Sequence, residues 1–189
     1  MKHLSPSDLW PLPVYEGVRP QFRAEVIEAK KHRRVTVGPF LTFIFENRLT
    51  VKFQIQEILR IEKISDPAQV AEEVEGFNTM LPGPGELSAT LLIELTGTDE
   101  AVKAELHKLY GITRHLWLEL ARTRIAGEVE PGREEESRGA AAVQYLRFKV
   151  PDAQALVRGP AFLAVDHPQY AHRQELPESV RRSLAQDLQ

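Results

Sequence analysis

The chain of 189 residues contains no cysteine. This absence excludes disulfide bonds, a thiol nucleophile, and zinc or iron–sulfur centres held by cysteine. An excess of charge of one sign is missing too, since the net charge at pH 7 is −3. A strongly basic chain would indicate binding to nucleic acid or to an anionic membrane, and this composition indicates neither.

Long apolar segments are also absent. The run VTVGPFLTFIF at 35–45 is too short to span a bilayer. The N-terminal MKHLSPSDLWPLP contains no apolar segment of the signal-peptide type, because Asp8 and several prolines interrupt it. We therefore expect a soluble, cytoplasmic protein that does not bind membranes.

Several catalytic and cofactor-binding motifs are missing. The chain contains no Walker-type phosphate loop, no GxGxxG after a strand, no GxSxG and no HExxH. It also lacks the Glu-x-x-His pair of di-iron helix bundles. Serine hydrolases, nucleotide kinases and ferritin-like oxidases thus have no support in the sequence, and no cofactor is evident.

The segment ENRLTVKFQIQEILRIEKI at 46–64 fits a strand in one part and a helix in another. Residues 50–56 alternate as a half-buried strand does, but the alternation fails at the following Ile58-Leu59. A period of 3.6 residues instead gathers one apolar stripe, formed by Val51, Ile55, Ile58 and Leu59. The pattern therefore predicts a helix over 50–64. Its neighbouring polar stripe consists of Lys52, Gln56, Arg60 and Lys63, and a second apolar patch encloses Gln54 and Glu57.

The remaining pattern alternates between helices and strands without a regular βαβ rhythm. After an irregular lead-in at 1–19, helices are predicted from Pro20, over 66–79, after Thr98 and from Pro177. Strands are predicted in the two halves of 35–45 and at 86–95, 115–124, 142–150 and 161–166. The strand at 161–166 is predicted to be the last one in the chain. The acidic segment 128–139 has no apolar period and predicts an exposed hairpin loop.

This element order predicts a single α+β domain over 1–189. We expect a largely antiparallel sheet of five or six strands, with helices packed on one of its faces.

The polar residues in and before the 50–64 helix are the first candidate site. A carboxylate inside an apolar patch must be paired or hydrogen-bonded, and Arg60 lies within reach of Glu57 at the i+3 position. Glu46 and Asn47 precede the helix and could cap it. Three interpretations stay open: a structural network that fixes the helix on the sheet, a ligand or metal site, and simple exposure to a partner.

VDHPQYAH at 165–172 is the second candidate. His167 stands before Pro168, just past a predicted strand, and Tyr170 and His172 follow on the same loop. His167 and His172 are possible metal ligands, although their spacing matches no usual ligand set. The other interpretation is a loop anchored by hydrogen bonds of the histidine ring. The basic cluster KKHRR at 30–34 is similarly open between a solvated helix end and an anion or nucleic-acid site.

The chain resembles a bacterial family of unknown function, the domain-of-unknown-function family 3501. The resemblance lies in RVTVGPFLTFIFENRLTVKFQIQEILRIEKI, LPGPGELSATLLIEL, AAVQYLRFKV and VDHPQY. It is most specific in the FEN-x-x-T-x-x-x-Q-x-Q-E segment. Members are often encoded beside rubrerythrin-like and heterodisulfide-reductase-like iron–sulfur proteins, which implies a link to redox or peroxide metabolism. The matched polar positions are Glu46, Asn47, Thr50, Gln54, Gln56, Glu57, Arg60, His167, Pro168 and Tyr170.

Two functions follow from these observations. The leading hypothesis is a non-catalytic accessory protein that docks onto a partner in a rubrerythrin-like or iron–sulfur redox system. The alternative is a small-molecule or metal-dependent enzyme whose site gathers Glu46, Glu57 and His167. The two are separated by whether those three side chains converge in one pocket.

Overall fold

The computed structural model describes residues 1–121, 123–129 and 139–188. Within these residues the chain forms six α-helices and nine β-strands. The helices are α1 (Leu12–Lys31), α2 (Arg48–Ile61), α3 (Pro67–Asn78), α4 (Asp99–Lys108), α5 (Ala155–Arg158) and α6 (Glu178–Asp187). The strands are β1 (Arg34–Val37), β2 (Leu41–Phe45), β3 (Glu86–Ile93), β4 (Leu116–Leu120), β5 (Thr123–Ala126), β6 (Glu128–Val129), β7 (Val143–Lys149), β8 (Ala161–His167) and β9 (Tyr170–Glu175).

The strands form two antiparallel sheets, which confirms the predicted α+β class and changes the expected sheet number. The first sheet has the order β1-β2-β3-β7-β6, and the second has the order β5-β4-β8-β9. Every described strand pair is antiparallel. The expectation of a single sheet was wrong, since the described strands are divided between two sheets and one extended segment changes partners from one sheet to the other.

Gly127 is the position of this change. β5 pairs with β4 in the second sheet, whereas β6, only one residue later, pairs with β7 in the first. A Cβ atom on Gly127 would lie 3.1 Å from the Phe148 ring and 3.3 Å from Cβ of Leu116. Glycine therefore allows the close backbone approach that such a crossing between sheets needs.

The two sheets share one apolar core. Alternate side chains of each sheet point into it, among them Phe43, Phe45 and Leu91 from the first sheet and Leu118 and Leu163 from the second. The loop after α4 and the helices α5 and α6 add apolar side chains to the same core. At one edge the Tyr170 hydroxyl donates a 2.6 Å hydrogen bond to the Val37 carbonyl, which joins β9 to β1.

Two helices, α2 and α3, lie over the outer face of the first sheet, and α1 packs on α2. Val51, Ile55 and Leu59 of α2 are buried in a second apolar cluster with Val74 of α3, and Tyr145 of β7 packs against it. α1 packs on α2 through a third cluster, whose buried members are Tyr15, Phe22 and Val26. None of the described helices packs on the outer face of the second sheet. Arg124, Asp166 and Arg173 on that face keep 44%, 43% and 54% of their side-chain surface exposed.

The first helix begins earlier than predicted. The lead-in was expected to be irregular over 1–19, but α1 starts at Leu12 and Pro20 lies inside it. Proline inside a helix removes one backbone hydrogen bond and is unfavourable by itself. The helix continues through Pro20 because burial on both sides stabilises it. Tyr15 is buried before the proline, and Phe22 and Val26 are buried after it.

Two strand predictions were wrong in detail. The predicted strand over 115–124 is a hairpin of β4 and β5, with Ala121 at a positive φ of 49° in its turn. β8 is not the last strand, because β9 follows it and pairs with it from His167↔Tyr170 onward.

The predicted hairpin loop at 128–139 is only partly within the described residues. Its first two residues form β6, and Gly139 has a positive φ of 133°. Residues 130–138 lie outside the described part of the chain.

No helix among the described residues has the length and apolar character that crossing a membrane requires.

Candidate functional site

The helix predicted over 50–64 is confirmed over 50–61, since α2 spans Arg48–Ile61 with Asn47 as its N-cap. The Asn47 side chain accepts a 3.0 Å hydrogen bond from the Thr50 amide. In return, the Thr50 hydroxyl oxygen accepts one of 2.9 Å from the Asn47 amide. This reciprocal pairing satisfies two backbone donors at the helix start and fixes where α2 begins.

Glu46 is buried beside this cap, with 3% of its surface exposed. Its carboxylate accepts hydrogen bonds from the Thr50 hydroxyl at 2.5 Å, the Thr90 hydroxyl at 2.6 Å and the Gln54 amide at 3.1 Å. Thr90 belongs to β3, so this carboxylate fastens α2 to the first sheet. Its three donors are neutral. A buried carboxylate needs hydrogen-bond partners for its oxygens, and these donors supply them without a cation.

Glu57 sits in a separate network between α1 and α2. The Tyr15 hydroxyl donates to it at 2.7 Å, and Arg19 binds both carboxylate oxygens at 2.8 Å. Arg60 binds the same carboxylate at 3.3 Å, as the i+3 spacing predicted. Glu57 and Gln54 are half-buried, so the expected burial of this patch is confirmed only in part.

The same contacts shift the acid–base behaviour of this network. The hydrogen bond from Arg19, helped by those from Tyr15 and Arg60, lowers the pKa of Glu57 to about 2. Burial raises the pKa of Tyr15, and its hydrogen bond to Glu57 adds to that rise. Glu57 therefore stays ionised and Tyr15 stays protonated at neutral pH, as in a structural ion pair.

Gln56 contradicts the predicted polar stripe, because it is fully buried. Its side-chain oxygen accepts from the Trp10 amide at 2.7 Å, and its side-chain nitrogen donates to the Trp10 carbonyl at 3.3 Å. Both polar groups of the side chain are therefore used on the backbone of the segment that precedes α1.

His167 lies at the end of β8, and both nitrogens of its ring contact backbone atoms. Nε2 is 3.1 Å from the Tyr110 carbonyl, and Nδ1 accepts from the Gln169 amide at 3.3 Å. These contacts assign the Nε2–H tautomer and are the bonds of an anchor. Tyr170 and His172 are not on a loop, as expected, but on β9. Among the described residues no group of three or more His, Asp or Glu side chains could hold a metal ion.

The basic cluster at 30–34 is divided between surface and interior. Arg33 is buried, and its guanidinium donates to the carbonyls of Phe45 and Glu46 and pairs with Asp187 of α6. Lys31, His32 and Arg34 are exposed, as expected of a solvated helix end. Arg33 thus connects the C-terminal helix to the first sheet.

The three residues of the enzyme alternative therefore lie in different networks. Within the described part of the chain, Glu46, Glu57 and His167 share no hydrogen-bond partner. Each is held by groups that fix one element on another. The enzyme alternative therefore gains no support from their contacts.

A further group of side chains, which the sequence pattern did not predict, lies on the open face of the second sheet. We call it the outer-face cluster, and it consists of Trp117, Glu119, Arg124, Phe162, Asp166 and Arg173. Asp166 accepts from the Trp117 indole at 3.0 Å and pairs with Arg124 at 2.7 Å and with His115 at 3.0 Å. The hydrogen bond from Trp117 is the main cause of the lowered pKa of Asp166, and those from Arg124 and His115 lower this pKa further.

Arginine and aromatic side chains alternate across this cluster. The Arg124 guanidinium lies 4.2 Å from the Trp117 ring centroid, and that of Arg173 lies 3.3 Å from the centroid of Phe162. Glu119 pairs with both arginines, at 3.4 Å and 2.8 Å. The signal in the sequence was the alternation in LWLEL and AFLAVD, where Trp117, Glu119, Phe162 and Asp166 occupy the outward positions.

Comparison with other proteins agrees with the described fold. No curated protein matches the chain. A crystal structure titled as a novel protein of unknown function from Burkholderia pseudomallei K96243 is similar to it, with 32% sequence identity and a TM-score of 0.92. The similarity covers 100% of both chains. The chain also matches the family described as "Protein of unknown function (DUF3501)" over residues 3–188. The chain belongs to this family, as the resemblance in its sequence predicted.

Proposed function

We propose that the protein is a non-catalytic accessory protein that binds a protein partner through the outer-face cluster. The observation that carries this proposal is the open face of the second sheet. The inner faces of both sheets meet in the shared core, and helices cover the outer face of the first. The outer face of the second sheet exposes aromatic and charged side chains instead.

The residue types on this face favour a protein interface. Tryptophan and arginine are enriched among the residues that dominate binding energy in protein complexes. Trp117 and Phe162 are partly exposed, and each is covered by an arginine that a partner could displace or stack upon. Acidic and basic groups alternate, so the partner would need a matching alternation of charge.

The partner we propose belongs to a redox system. The family resemblance implies rubrerythrin-like and heterodisulfide-reductase-like iron–sulfur proteins as genomic neighbours. In this proposal the cysteine-free chain supplies no redox group and acts by docking on a protein that carries one.

The alternative enzyme has no comparable support. It needs Glu46, Glu57 and His167 in one pocket, and the described structure gives each of them a separate set of structural bonds.

The test is a binding titration by calorimetry with the purified rubrerythrin-like and iron–sulfur proteins encoded beside the gene. Trp117→Ala and Arg124→Ala should each weaken binding by about tenfold, as expected for interface residues that dominate affinity. Binding should also weaken as salt is raised, because the face is charged.

Arg34→Ala is the matched control. Arg34 is 48% exposed and pairs with Glu94, as Arg124 is 44% exposed and pairs with Glu119, but it lies on the first sheet. The control should bind as the unaltered protein does. Absence of binding to either neighbour, or equal loss in the control, would contradict the proposal.

A further inference from the structure

β9 is the longest of the described strands that lie at the edge of a sheet. The edge strands are β1 and β6 of the first sheet and β5 and β9 of the second. β9 has six residues, whereas β1 and β5 have four each and β6 has two. All residues from 171 to 175 are exposed. A long, exposed edge strand is a surface on which another strand can pair.

The register of β9 shows which of its backbone groups face this open edge. Directly after β9, the Leu176 amide donates to the Ala161 carbonyl at 2.8 Å. In an antiparallel pair, residues bonded in this way recur at every second position. The even-numbered residues of β9 therefore turn their N–H and C=O groups towards β8. Those of Ala171, Arg173 and Glu175 point to the open edge, where another strand can reach them.

The side chains at two of these positions carry opposite charges on one face. Arg173 and Glu175 are two residues apart in a strand, so both point to the outer face of the second sheet. Arg173 is 54% exposed there and pairs with Glu119 at 2.8 Å. Glu175 is exposed and takes part in none of the described ion pairs. The order Arg-x-Glu is therefore complementary to itself when two such strands run in opposite directions.

We propose that β9 pairs with β9 of a second copy of this chain, antiparallel and about a two-fold axis. The charges select the register, in which Arg173 lies opposite Glu175 of the second copy and Gln174 lies opposite its own counterpart. The backbone groups of Arg173 and Glu175 then form the bonded pairs between the copies. The two nearest registers that keep such bonds place either Arg173 or Glu175 opposite itself, where like charges are destabilising.

The same charges exclude the other common role of a charged edge strand. Charged side chains often protect an edge, because a second copy would bring like charges together. On β9 a second copy brings opposite charges together instead. The dimer therefore satisfies edge groups that in the single chain face solvent or, for the Glu175 carbonyl, the side chain of Gln174 at 3.1 Å.

The dimer makes one continuous sheet of the second sheets of both copies. The two outer-face clusters then lie on the same side of it, because paired residues of neighbouring strands point to the same face. Glu175 of the second copy adds a carboxylate beside Arg173, which is a member of the cluster. The dimer does not depend on the docking function proposed above.

The experiment measures the mass of the full chain in solution, by sedimentation velocity from micromolar to millimolar concentration. The unaltered protein should form a weak dimer, since a contact between two short strands is small. Glu175→Arg should weaken dimerisation by about tenfold or more, because the symmetry turns two opposite-charge pairs into two like-charge pairs. Arg34→Glu changes an exposed arginine of the edge strand β1 and is the matched control, which should dimerise as the unaltered protein does.

A mixture of two charge variants tests the register. Arg173→Glu should be monomeric by itself, as Glu175→Arg is. It also loses the pair with Glu119, so circular dichroism should verify that it is folded. When the two variants are mixed in equal amounts, each presents the charges that the other lacks. Dimers should therefore return in the mixture.

Three results would overturn the proposal. They are an unaltered protein that stays monomeric at millimolar concentration, dimers that persist in Glu175→Arg, and a mixture of folded variants that stays monomeric. Hydrogen exchange gives an independent measurement on the unaltered protein. The amides of Arg173 and Glu175 should exchange more slowly in concentrated than in dilute solution, and equal rates would contradict pairing at this edge.

Discussion

At the scale of single residues, Glu57 shows how one carboxylate holds two helices together. It accepts from Tyr15 and Arg19 of α1 and from Arg60 of its own helix. Glu57→Ala should lower the free energy of unfolding by about 2–3 kcal/mol, because two arginines and a buried hydroxyl lose their acceptor. Urea unfolding measures this directly. Glu28→Ala, which breaks an exposed pair with Lys31, is the matched control and should change stability by less than about 0.5 kcal/mol.

The same residue makes stability depend on pH. The pKa of Glu57 is lowered from 4.5 to about 2 in the folded protein, so the unfolded chain binds this proton more readily. The stabilisation is fully present above pH 4.5 and is lost as pH falls from there towards 2, by about 3 kcal/mol in total. The stability difference between the unaltered protein and Glu57→Gln should therefore shrink across that range. A difference independent of pH would show that the carboxylate charge is not what stabilises the helix pair.

At the scale of elements, Gln56 connects α2 to the segment before α1. Gln56→Ala should remove about 1–3 kcal/mol of stability, because the amide and carbonyl of Trp10 would lose their buried partners. Gln69→Ala, at an exposed position of α3, should have almost no effect. Thermal and urea unfolding of both variants compare the two positions. Equal stability of the two variants would mean that water replaces Gln56 without loss.

The β8–β9 hairpin gives a second test at this scale. His167→Ala should lower stability by about 1–2 kcal/mol, because Tyr110 and Gln169 would lose their contacts with the ring. As an anchor, His167 should not affect metal content, which elemental analysis of protein purified without added ions can measure. Stoichiometric metal that disappears in His167→Ala would favour the enzyme alternative instead.

At the scale of the whole molecule, the two sheets close against each other at Gly38. This turn residue has φ +67°, and a Cβ atom there would lie 2.4 Å from the Tyr170 hydroxyl oxygen of β9. Gly38→Ala should therefore destabilise the protein by more than about 1 kcal/mol. Gly76→Ala is the control, since it lies inside α3 with nothing within 4 Å, and it should stabilise by about 0.5–1 kcal/mol. A Gly38→Ala variant as stable as the control would contradict this account of the closure.

Local chemistry determined much of what the sequence predicted correctly. Asn47, Asp66 and Thr98 begin their helices because their side chains bond backbone amides a few residues later, which needs no distant partner. The periods of α2 and of β3 likewise reflect which side chains each element must bury. The pairing of Glu57 with Arg60 followed from their spacing on one helix.

Tertiary structure alone decided the remaining features, since they depend on residues that are distant in sequence. Gln56 is polar and lies on a polar stripe, yet it is buried because α1 and its preceding segment cover that side of α2. Arg33 looked like part of a solvated cluster until α6 supplied Asp187 as its partner. The division of the strands between two sheets was not visible in the sequence, and Gly127 lies where one segment passes from the second sheet to the first. The outer-face cluster could not be foreseen either, because hydrophobic periodicity reports which face of a strand is buried but not which strands it pairs with.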